Sequence, residues 1–322
     1  MRLGVLDVGS DTVHLMIVEA HRGGHPTPRP SQESAWEMVG HVDADGALTE
    51  QGRESLLETV GESALAAARL GCEELLAFAS SAVQDVTNFA EVLRSVRSLT
   101  GVQLQVLTGI EHARLAFLAA RRWYGWSAGN LLMLDIRHGS LEIAAGPGEQ
   151  PAVALSLPLG AGSLGRPPAI GVPPAAGELA ALQNMVSGKL SGVKHTVMAA
   201  GPFDLVASTS KTFMTLAGRT GLTAPTGAAG PTGAAASSAR SPASRTLTAA
   251  GLRRLAAVLQ PMAVCDIAAL AGVSPVMAPQ LVAGVAIAEA TLTALGVEQL
   301  MICPWAVHEG IVLRHLDRLA VA

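Results

Sequence analysis

The sequence has few aromatic residues and few lysines. Only 3% of its 322 residues are aromatic while 49% are apolar, so a large core is possible but must consist mainly of Ala, Val and Leu. Lysine occurs only at Lys189, Lys194 and Lys211, and nearly all of the positive charge is arginine. The net charge is −4 and the pI is about 6.1. This balance argues against a general nucleic-acid binder, which usually carries a basic face.

Cysteine is also scarce. Cys72, Cys265 and Cys303 are far apart and lie in apolar surroundings, and their spacing matches no metal-binding pattern. We therefore expect three buried thiols, as in proteins of the reducing cytosol. The N-terminal segment resembles a strand and has no signal-peptide pattern, which also favours a cytoplasmic location.

Long uninterrupted apolar runs are missing as well. The longest uncharged stretch, residues 267–288, contains Ser274, Pro275, Pro279 and Gln280. Because proline interrupts helices, we expect buried helical structure broken at these positions and no membrane span.

Residues 223–245 form a second stretch of unusual composition. They carry a short PTGAA-like repeat and no apolar periodicity. Such a segment buries too little surface to offset the entropy lost on ordering, so we expect a disordered surface loop.

The sequence does contain the same hairpin pattern twice. A Val- and Leu-rich segment ending in Asp7 is followed by a Gly-Ser turn and a second apolar segment, and the order recurs around Asp135 in NLLMLDIRHGSLEIAAG. The two hairpins are a domain's length apart. The repetition therefore indicates duplicated α/β domains facing one cleft, with chance similarity of two hairpins as the alternative.

Helices and strands alternate between and after the hairpins. Apolar spacing predicts helices over 50–71, 86–98 and 110–122, and strands over 73–80, 102–107, 151–160 and near 194–201. Thr248 is the expected N-cap of a later helix.

Six motifs in order resemble the exopolyphosphatase/guanosine pentaphosphate phosphatase (Ppx/GppA) family, and most closely its short actinobacterial type. They are LDVGSDTVHL, FASSAVQDVTN, TGIEHARLAF, LDIRHGSLE, LSLPLGAG and WAVHEGIVLR. The resemblance covers nearly the whole chain. It implies an α/β fold of two actin-like (ribonuclease H-like) domains with an interdomain cleft. Domain I would span 1–124, with a C-terminal helix at about 306–319 packing back on it, and domain II would span 125–304 and contain the loop at 223–245.

The resemblance also implies a phosphoanhydride hydrolase that acts on inorganic polyphosphate, or on guanosine pentaphosphate, with Mg²⁺ as cofactor and with a homodimer as a further expectation. Asp7, Asp135 and Glu142 would bind Mg²⁺ directly or through water. For each Asp, the alternative is a simple turn-forming residue. The phosphate contacts that match the family pattern would come from Gly9, Ser10, Thr12, Gly139, Ser140 and Gly160.

Several positions depart from the family pattern, and they lie at the centres of the motifs. Asp11 stands in place of Asn, Gln84 in place of Arg, His112 in place of the Glu that would act as base, Arg137 and His138 in place of a Gly pair, and His308 in place of Arg. Losing a charge-assisted contact costs on the order of 1.5–3 kcal/mol, and losing a positioned base costs roughly 10²–10⁴-fold in rate. The sequence thus favours weak or lost activity, with a regulatory pseudoenzyme that binds phosphate or polyphosphate as the alternative.

Two residues could compensate for these departures. His112 could itself act as base, because its unperturbed pKa is close to physiological pH. Arg137 could supply the charge missing at Gln84. Glu111 is a weaker candidate for the base, since neighbouring residues on a helix point about 100° apart.

Overall fold

The computed structural model describes residues 1–9, 12–21, 24–29, 32–36, 38–84, 86–164, 176–220, 246–270 and 277–321. The chain divides into two compact units, the first formed by Met1–Ala119 with Val307–Ala322 and the second by Ala120–Ala306. Ser10, Asp11 and the segment 223–245 lie outside the described residues.

The described strands and helices alternate along the chain. The strands are β1 (Arg2–Val8), β2 (Thr12–Glu19), β3 (Thr27–Pro28), β4 (Gln32–Ala35), β5 (Glu74–Ala79), β6 (Gln105–Val106), β7 (Leu131–Ile136), β8 (Leu141–Gly146), β9 (Val153–Leu157), β10 (Leu205–Ser208), β11 (Thr246–Thr248) and β12 (Gln299–Ile302). The α-helices are α1 (Glu50–Arg69), α2 (Ser81–Gln84), α3 (Phe89–Thr100), α4 (Gly109–Tyr124), α5 (Ala161–Leu164), α6 (Ala176–Met198), α7 (Lys211–Ala217), α8 (Ala249–Leu259), α9 (Val264–Ala268), α10 (Met277–Leu295) and α11 (Val307–Val321).

The sheet of the first unit has the order β3-β2-β1-β5-β6, with β4 also paired to β2. β1 pairs antiparallel with β2 and parallel with β5. On one face of the sheet, α1 and α3 cover a core that contains Leu6, Leu56 and Val92. On the other face, α4 and α11 contribute Leu115 and Ile311 to a second core.

The second unit repeats this arrangement, with the order β11-β12-β10-β7-β8-β9 among its described strands. β7, β8 and β9 form an antiparallel meander, and β10 and β12 continue the sheet parallel to β7. In both units, three antiparallel strands are thus followed by two parallel ones. The repetition confirms the expected α/β fold class with actin-like (ribonuclease H-like) units.

Local signals explain several helix boundaries. Thr49 caps α1 by accepting a hydrogen bond from the Gly52 N–H, and Thr248 caps α8 as predicted, accepting from the Gly251 N–H. Among the described helices, none is long and apolar enough to cross a membrane.

Two expectations from the sequence are wrong. The segment 194–201 is no strand, because α6 continues to Met198, and the strand that follows is β10. Buried residues Val186, Leu190 and Val197 lie on one face of α6, and this packing overrides the β-branched composition of the segment. The cysteines are not all buried either, since Cys265 is exposed at the surface of the short helix α9 and Cys72 is only half-buried.

Candidate active site

The second unit holds a pair of buried carboxylates. Asp135, near the end of β7, lies directly opposite Glu142, near the start of β8, in the antiparallel register. Because directly opposed residues point to the same face of a sheet, the two side chains are neighbours. Asp135 is 4% exposed and Glu142 is 0% exposed. The structure therefore brings together two of the three residues that the sequence assigned to Mg²⁺.

Hydroxyl groups surround this acid pair. The Glu142 Oε1 atom accepts hydrogen bonds from Ser140 Oγ at 2.6 Å and from Ser156 Oγ at 3.3 Å. The Asp135 Oδ2 atom accepts one from Thr209 Oγ1 at 3.0 Å. The Glu142 Oε2 atom is buried and has no hydrogen-bond partner in the described part of the chain. An acceptor oxygen left in this state is costly unless a ligand satisfies it.

Sequence reasoning missed Thr209 and Ser156. Thr209 reaches the site because β10 runs parallel to β7, which places the residue after β10 beside Asp135. The sequence signal for Thr209 is the run of hydroxyl residues Ser208-Thr209-Ser210 at the end of a strand. The expected strand near 194–201 lies several residues before β10, so this run did not stand out.

Burial sets the protonation of the acid pair. Desolvation raises the pKa of Asp135, and it raises the pKa of Glu142 to about 7. The Arg137 charge opposes both shifts, and the neighbouring Asp135 carboxylate adds to the rise at Glu142. Arg137 is thus close enough to offset part of the negative charge of this pair.

The residues of this site fit Mg²⁺ better than a cation whose whole coordination shell must come from protein side chains. No group of three or more His, Cys, Asp or Glu side chains in the described ranges could hold a metal. Mg²⁺ is usually bound by one or two carboxylates, with water and substrate phosphate completing its shell. The buried pair with its unpartnered Glu142 Oε2 matches that requirement.

The turn between β7 and β8 rests on the segment that follows β9. The Arg137 N–H donates to the Ser140 carbonyl oxygen at 2.8 Å and closes the turn. The Ala161 and Gly162 N–H groups donate to the carbonyl oxygens of Arg137 and His138, at 2.9 and 2.8 Å.

Two glycines make this close approach possible. A Cβ on Gly160 would overlap the His138 carbonyl oxygen, and one on Gly162 would overlap the His138 ring. These glycines therefore let two backbone segments touch, and the phosphate contact expected at Gly160 stays a prediction.

Polar groups of the β1–β2 hairpin also have partners within the first unit. The Gly9 N–H donates to the Thr12 carbonyl oxygen at 2.9 Å. Asp7 Oδ2 lies 3.0 Å from His308 Nε2, and the His308 ring packs 5.2 Å from that of His14. Metal binding by Asp7 and phosphate binding by Gly9, Ser10, Asp11 and Thr12 stay predictions.

The two candidate bases differ in their surroundings. Glu111 forms a capping box, in which Thr108 N–H and Oγ1 donate to Glu111 Oε2 at 2.9 and 2.8 Å. These hydrogen bonds lower the pKa of Glu111. His112 lies in the same helical turn but is 4% exposed. Glu111 is thus committed to starting α4, whereas the His112 side chain is buried, and the role of either residue as base stays a prediction.

The structure also describes Gln84 and the C-terminal motif WAVHEGIVLR, at which the sequence departs from the family pattern. Gln84 is exposed at the end of α2. Gly310 packs against α4, where a Cβ would overlap the Leu115 carbonyl oxygen. The glycine after His308 and Glu309 therefore serves helix packing.

Comparison with known proteins agrees with this geometry. The model of the Ppx/GppA phosphatase family matches residues 17–319. Exopolyphosphatase 1 of Mycobacterium tuberculosis is 50% identical over 317 residues, covering 98% of this chain and 89% of the relative.

Solved structures show the same fold. The crystal structure of the Aquifex aeolicus member of the Ppx/GppA family superposes with a TM-score of 0.82 at 21% identity, covering 99% of this chain and 98% of the other. An exopolyphosphatase from Cytophaga hutchinsonii superposes with a TM-score of 0.80 at 19% identity, with coverage of 99% and 98%. Taken with the two hairpins in which Asp7 and Asp135 precede the turn, and with the similar strand order of the two sheets, these matches show that the chain belongs to the Ppx/GppA phosphatase family.

Proposed function

We propose that this protein is a Mg²⁺-dependent exopolyphosphatase that hydrolyses the terminal phosphoanhydride bond of inorganic polyphosphate. The observation that carries the proposal is the buried Asp135–Glu142 pair, whose Glu142 Oε2 has no partner among the described residues. The mycobacterial relative named Exopolyphosphatase 1, at 50% identity over 98% of this chain, supports the choice of substrate.

Asp135 and Glu142 would hold Mg²⁺, which when bound neutralises charge on the phosphate oxygens. Arg137 adds a fixed positive charge beside the same pair, as its effect on both carboxyl pKa values indicates. A cation in this position stabilises the charge that accumulates on the transferred phosphoryl group. Ser140, Gly139 and His138 in the same turn are the proposed phosphate contacts.

His112 is the proposed acceptor of the proton from the attacking water. Its imidazole is buried in the first turn of α4, while the neighbouring Glu111 carboxylate is held by Thr108. An imidazole can accept a proton near neutral pH. We propose that turnover is weak, because Gln84 supplies no charge and Asp11 introduces a carboxylate among the phosphate contacts. Guanosine pentaphosphate as a further substrate, a homodimer and a cytoplasmic location stay predictions.

A second candidate function is a binding protein that holds polyphosphate without turnover. It is favoured because groups that catalysis would need already form hydrogen bonds within the protein. Glu111 starts a helix, and the Gly9 N–H closes its own turn. Both groups would have to leave these hydrogen bonds before acting on a substrate.

The test is phosphate release from long-chain polyphosphate with Mg²⁺, from about pH 5.5 to 8.5, together with direct polyphosphate binding. The wild type is compared with Asp135→Asn and with Asp266→Asn, an exposed acid of the same unit. Turnover that is lost only in Asp135→Asn supports the enzyme. Binding without release in the wild type supports the binding protein, and absence of both rejects the two proposals.

A further inference from the structure

In the first unit, α4 and α11 bring charged residues together where they pack on one face of the sheet. The two helices approach each other at Gly310 and Leu115, since a Cβ on Gly310 would overlap the Leu115 carbonyl oxygen. Arg314 follows Gly310 by one helical turn, and Glu111 precedes Leu115 by one turn, so each lies on the helix face near this crossing. The Arg314 guanidinium and the Glu111 carboxylate are accordingly close enough to interact.

Arg114 and Arg318 add two further positive charges to the same place. Arg114 lies three residues after Glu111 on α4, and Arg318 lies four residues after Arg314 on α11, spacings that put side chains on one face of a helix. Hydrogen bonds from Thr108 are the main cause of the lowered pKa of Glu111, and the charges of Arg314 and Arg114 lower it further. Three positive charges thus lie around a single carboxylate.

Arg314 lacks the partners that a half-buried guanidinium usually has. Burial lowers the pKa of Arg314, and the nearby Arg318 charge lowers it further. Within the part of the chain that the structure describes, the Arg314 guanidinium forms no hydrogen bond and no close ion pair. The Glu111 carboxylate beside it already accepts two hydrogen bonds from Thr108. A partly desolvated cation in this state is stabilised by an anion that pairs with it.

We propose that Arg114, Arg314 and Arg318, called the arginine cluster below, bind a segment of inorganic polyphosphate without using the acid pair of the second unit. The identity of the ligand rests on the proposed function, in which polyphosphate is the substrate. Guanidinium contacts need no metal, so the arginine cluster should hold the chain even when divalent cations are absent.

The chemistry of the arginine cluster suits a chain of phosphates. The planar guanidinium donates two parallel hydrogen bonds to phosphate oxygens. Arg314 and Arg318 are about 6 Å apart along the axis of α11, because each residue advances a helix by about 1.5 Å. Donors spread over this length match linked phosphate groups better than a single phosphate ion. The whole protein carries a net charge of −4, so attraction of a polyanion depends on a local cluster of this kind.

The experiment measures binding of the full chain to long-chain polyphosphate with a fluorescent end label, by anisotropy in the presence of a chelator. The chelator limits binding to contacts that need no divalent cation. Arg314→Gln/Arg318→Gln removes two charges of the arginine cluster. Arg114→Gln/Arg318→Gln changes two exposed residues only, so the test does not depend on how the fold tolerates a change at Arg314. Urea unfolding of each variant identifies any loss of fold.

Arg94→Gln/Arg97→Gln is the matched control. Both residues are exposed on α3, which covers the opposite face of the same sheet. The control removes the same amount of positive charge from the same unit.

Both variants of the arginine cluster should bind polyphosphate roughly tenfold or more weakly than the wild type, the scale expected for loss of a charge-assisted contact. Their affinity should also depend less steeply on salt, because fewer phosphate charges are neutralised. The α3 control should bind like the wild type. Unchanged affinity in both cluster variants, or equal weakening in the control, would overturn the inference.

Unlabelled competitors test the class of ligand. Tripolyphosphate should displace the labelled chain from the wild type, and polyglutamate at the same concentration of charge should displace it poorly. Displacement by polyglutamate as effective as that by tripolyphosphate would identify a site for acidic peptides and would overturn the assignment to polyphosphate.

Phosphate release with Mg²⁺ is measured in parallel, which separates the two proposals. A wild type that releases no phosphate but loses binding in the cluster variants removes the proposed enzyme and keeps this inference. A wild type that releases phosphate while the cluster variants bind as tightly as the wild type does the reverse. A wild type that binds no polyphosphate in the presence of the chelator overturns the inference.

Discussion

The Nε2 atom of His308 lies 3.0 Å from the Oδ2 atom of Asp7, and this contact ties the start of α11 to the end of β1. The two side chains are only 16% and 24% exposed. A pair that is partly shielded from water contributes more than a surface pair. His308 stands where the family pattern has Arg, so a shorter side chain here holds the carboxylate that was predicted to meet phosphate or metal.

Replacing His308 with Ala should lower both stability and activity. The variant loses one hydrogen bond to a carboxylate, which costs on the order of 1.5–3 kcal/mol when the carboxylate is charged. It also removes one of the groups that position the Asp7 carboxylate, and we expect phosphate release to fall roughly fivefold or more if Asp7 contacts the substrate or its cation. Urea unfolding and phosphate release from polyphosphate measure the two effects.

His315→Ala is the matched control for this prediction. His315 lies on the same helix, and its Nε2 atom lies 3.1 Å from a Glu74 carboxylate oxygen but forms no hydrogen bond there. The His315→Ala variant should lose less stability than His308→Ala and keep its activity. Equal loss of activity in both variants would mean that His308 only anchors α11.

The secondary structure that could be predicted from the sequence is the part with strong local signals. The hairpins β1–β2 and β7–β8 follow from apolar runs around Asp-Gly-Ser turns, and Thr248 marks the start of α8. The strands β3 and β4 were missed, since they are short and their pairing with β2 depends on distant residues. The predicted strand over 102–107 is only the two-residue strand β6 in the structure, since Gln105 and Val106 alone pair with β5.

The acid pair could be predicted, but its surroundings could not. Asp135 and Glu142 are recognisable because both flank a turn within one hairpin. Thr209 lies 74 residues from Asp135, and only the parallel pairing of β10 with β7 brings them together. The close contact of Gly160 with His138 is likewise a tertiary feature, which no local pattern in LSLPLGAG reveals.

Gly160→Ala should distort the turn between β7 and β8. The new Cβ would overlap the His138 carbonyl oxygen, and overpacking of this kind costs typically about 1–3 kcal/mol. Because Arg137 and Ser140 belong to this turn, divalent-cation binding should weaken as well. Gly139→Ala is the control in the same turn, where a Cβ meets nothing within 4 Å. Calorimetric titration and Tm measure both effects, and equal behaviour of the two variants would contradict this role for Gly160.

The neighbours Glu111 and His112 should separate stability from catalysis. Glu111→Ala breaks the capping box with Thr108 and should cost about 1 kcal/mol of stability with little change in kcat. His112→Gln keeps a polar side chain at a buried position and should lower kcat by about 10²–10⁴-fold if the imidazole is the base. Steady-state kinetics with urea unfolding checks both variants. A larger loss of kcat in Glu111→Ala would assign the base to Glu111.

Stability without divalent cations should fall as the pH rises from about 4.5 to 7. Burial raises the pKa of Glu142 from 4.5 to about 7, so the folded state binds more protons than the unfolded state in this window. The cost of ionising the buried Glu142 carboxyl group is absent below its unfolded pKa and complete above its folded pKa, where it is on the order of 3 kcal/mol. The raised pKa of Asp135 acts in the same direction. Glu142→Gln should flatten the dependence in urea unfolding with a chelator present.

Glu149→Gln gives the opposite control for this pH dependence. The Arg122 guanidinium donates to both Glu149 oxygens at 2.8 Å and lowers the pKa of that carboxyl. Its contribution is therefore present above the unfolded pKa and is lost as the pH falls through the folded value, so Glu149→Gln should change stability at neutral pH and little at low pH.

Mg²⁺ should stabilise the wild type more at pH 8 than at pH 5, because protons compete for the acid pair. A wild type whose stability without cations is constant between about pH 5 and 8 would show that Glu142 is not held in the buried, hydroxyl-bound position described here.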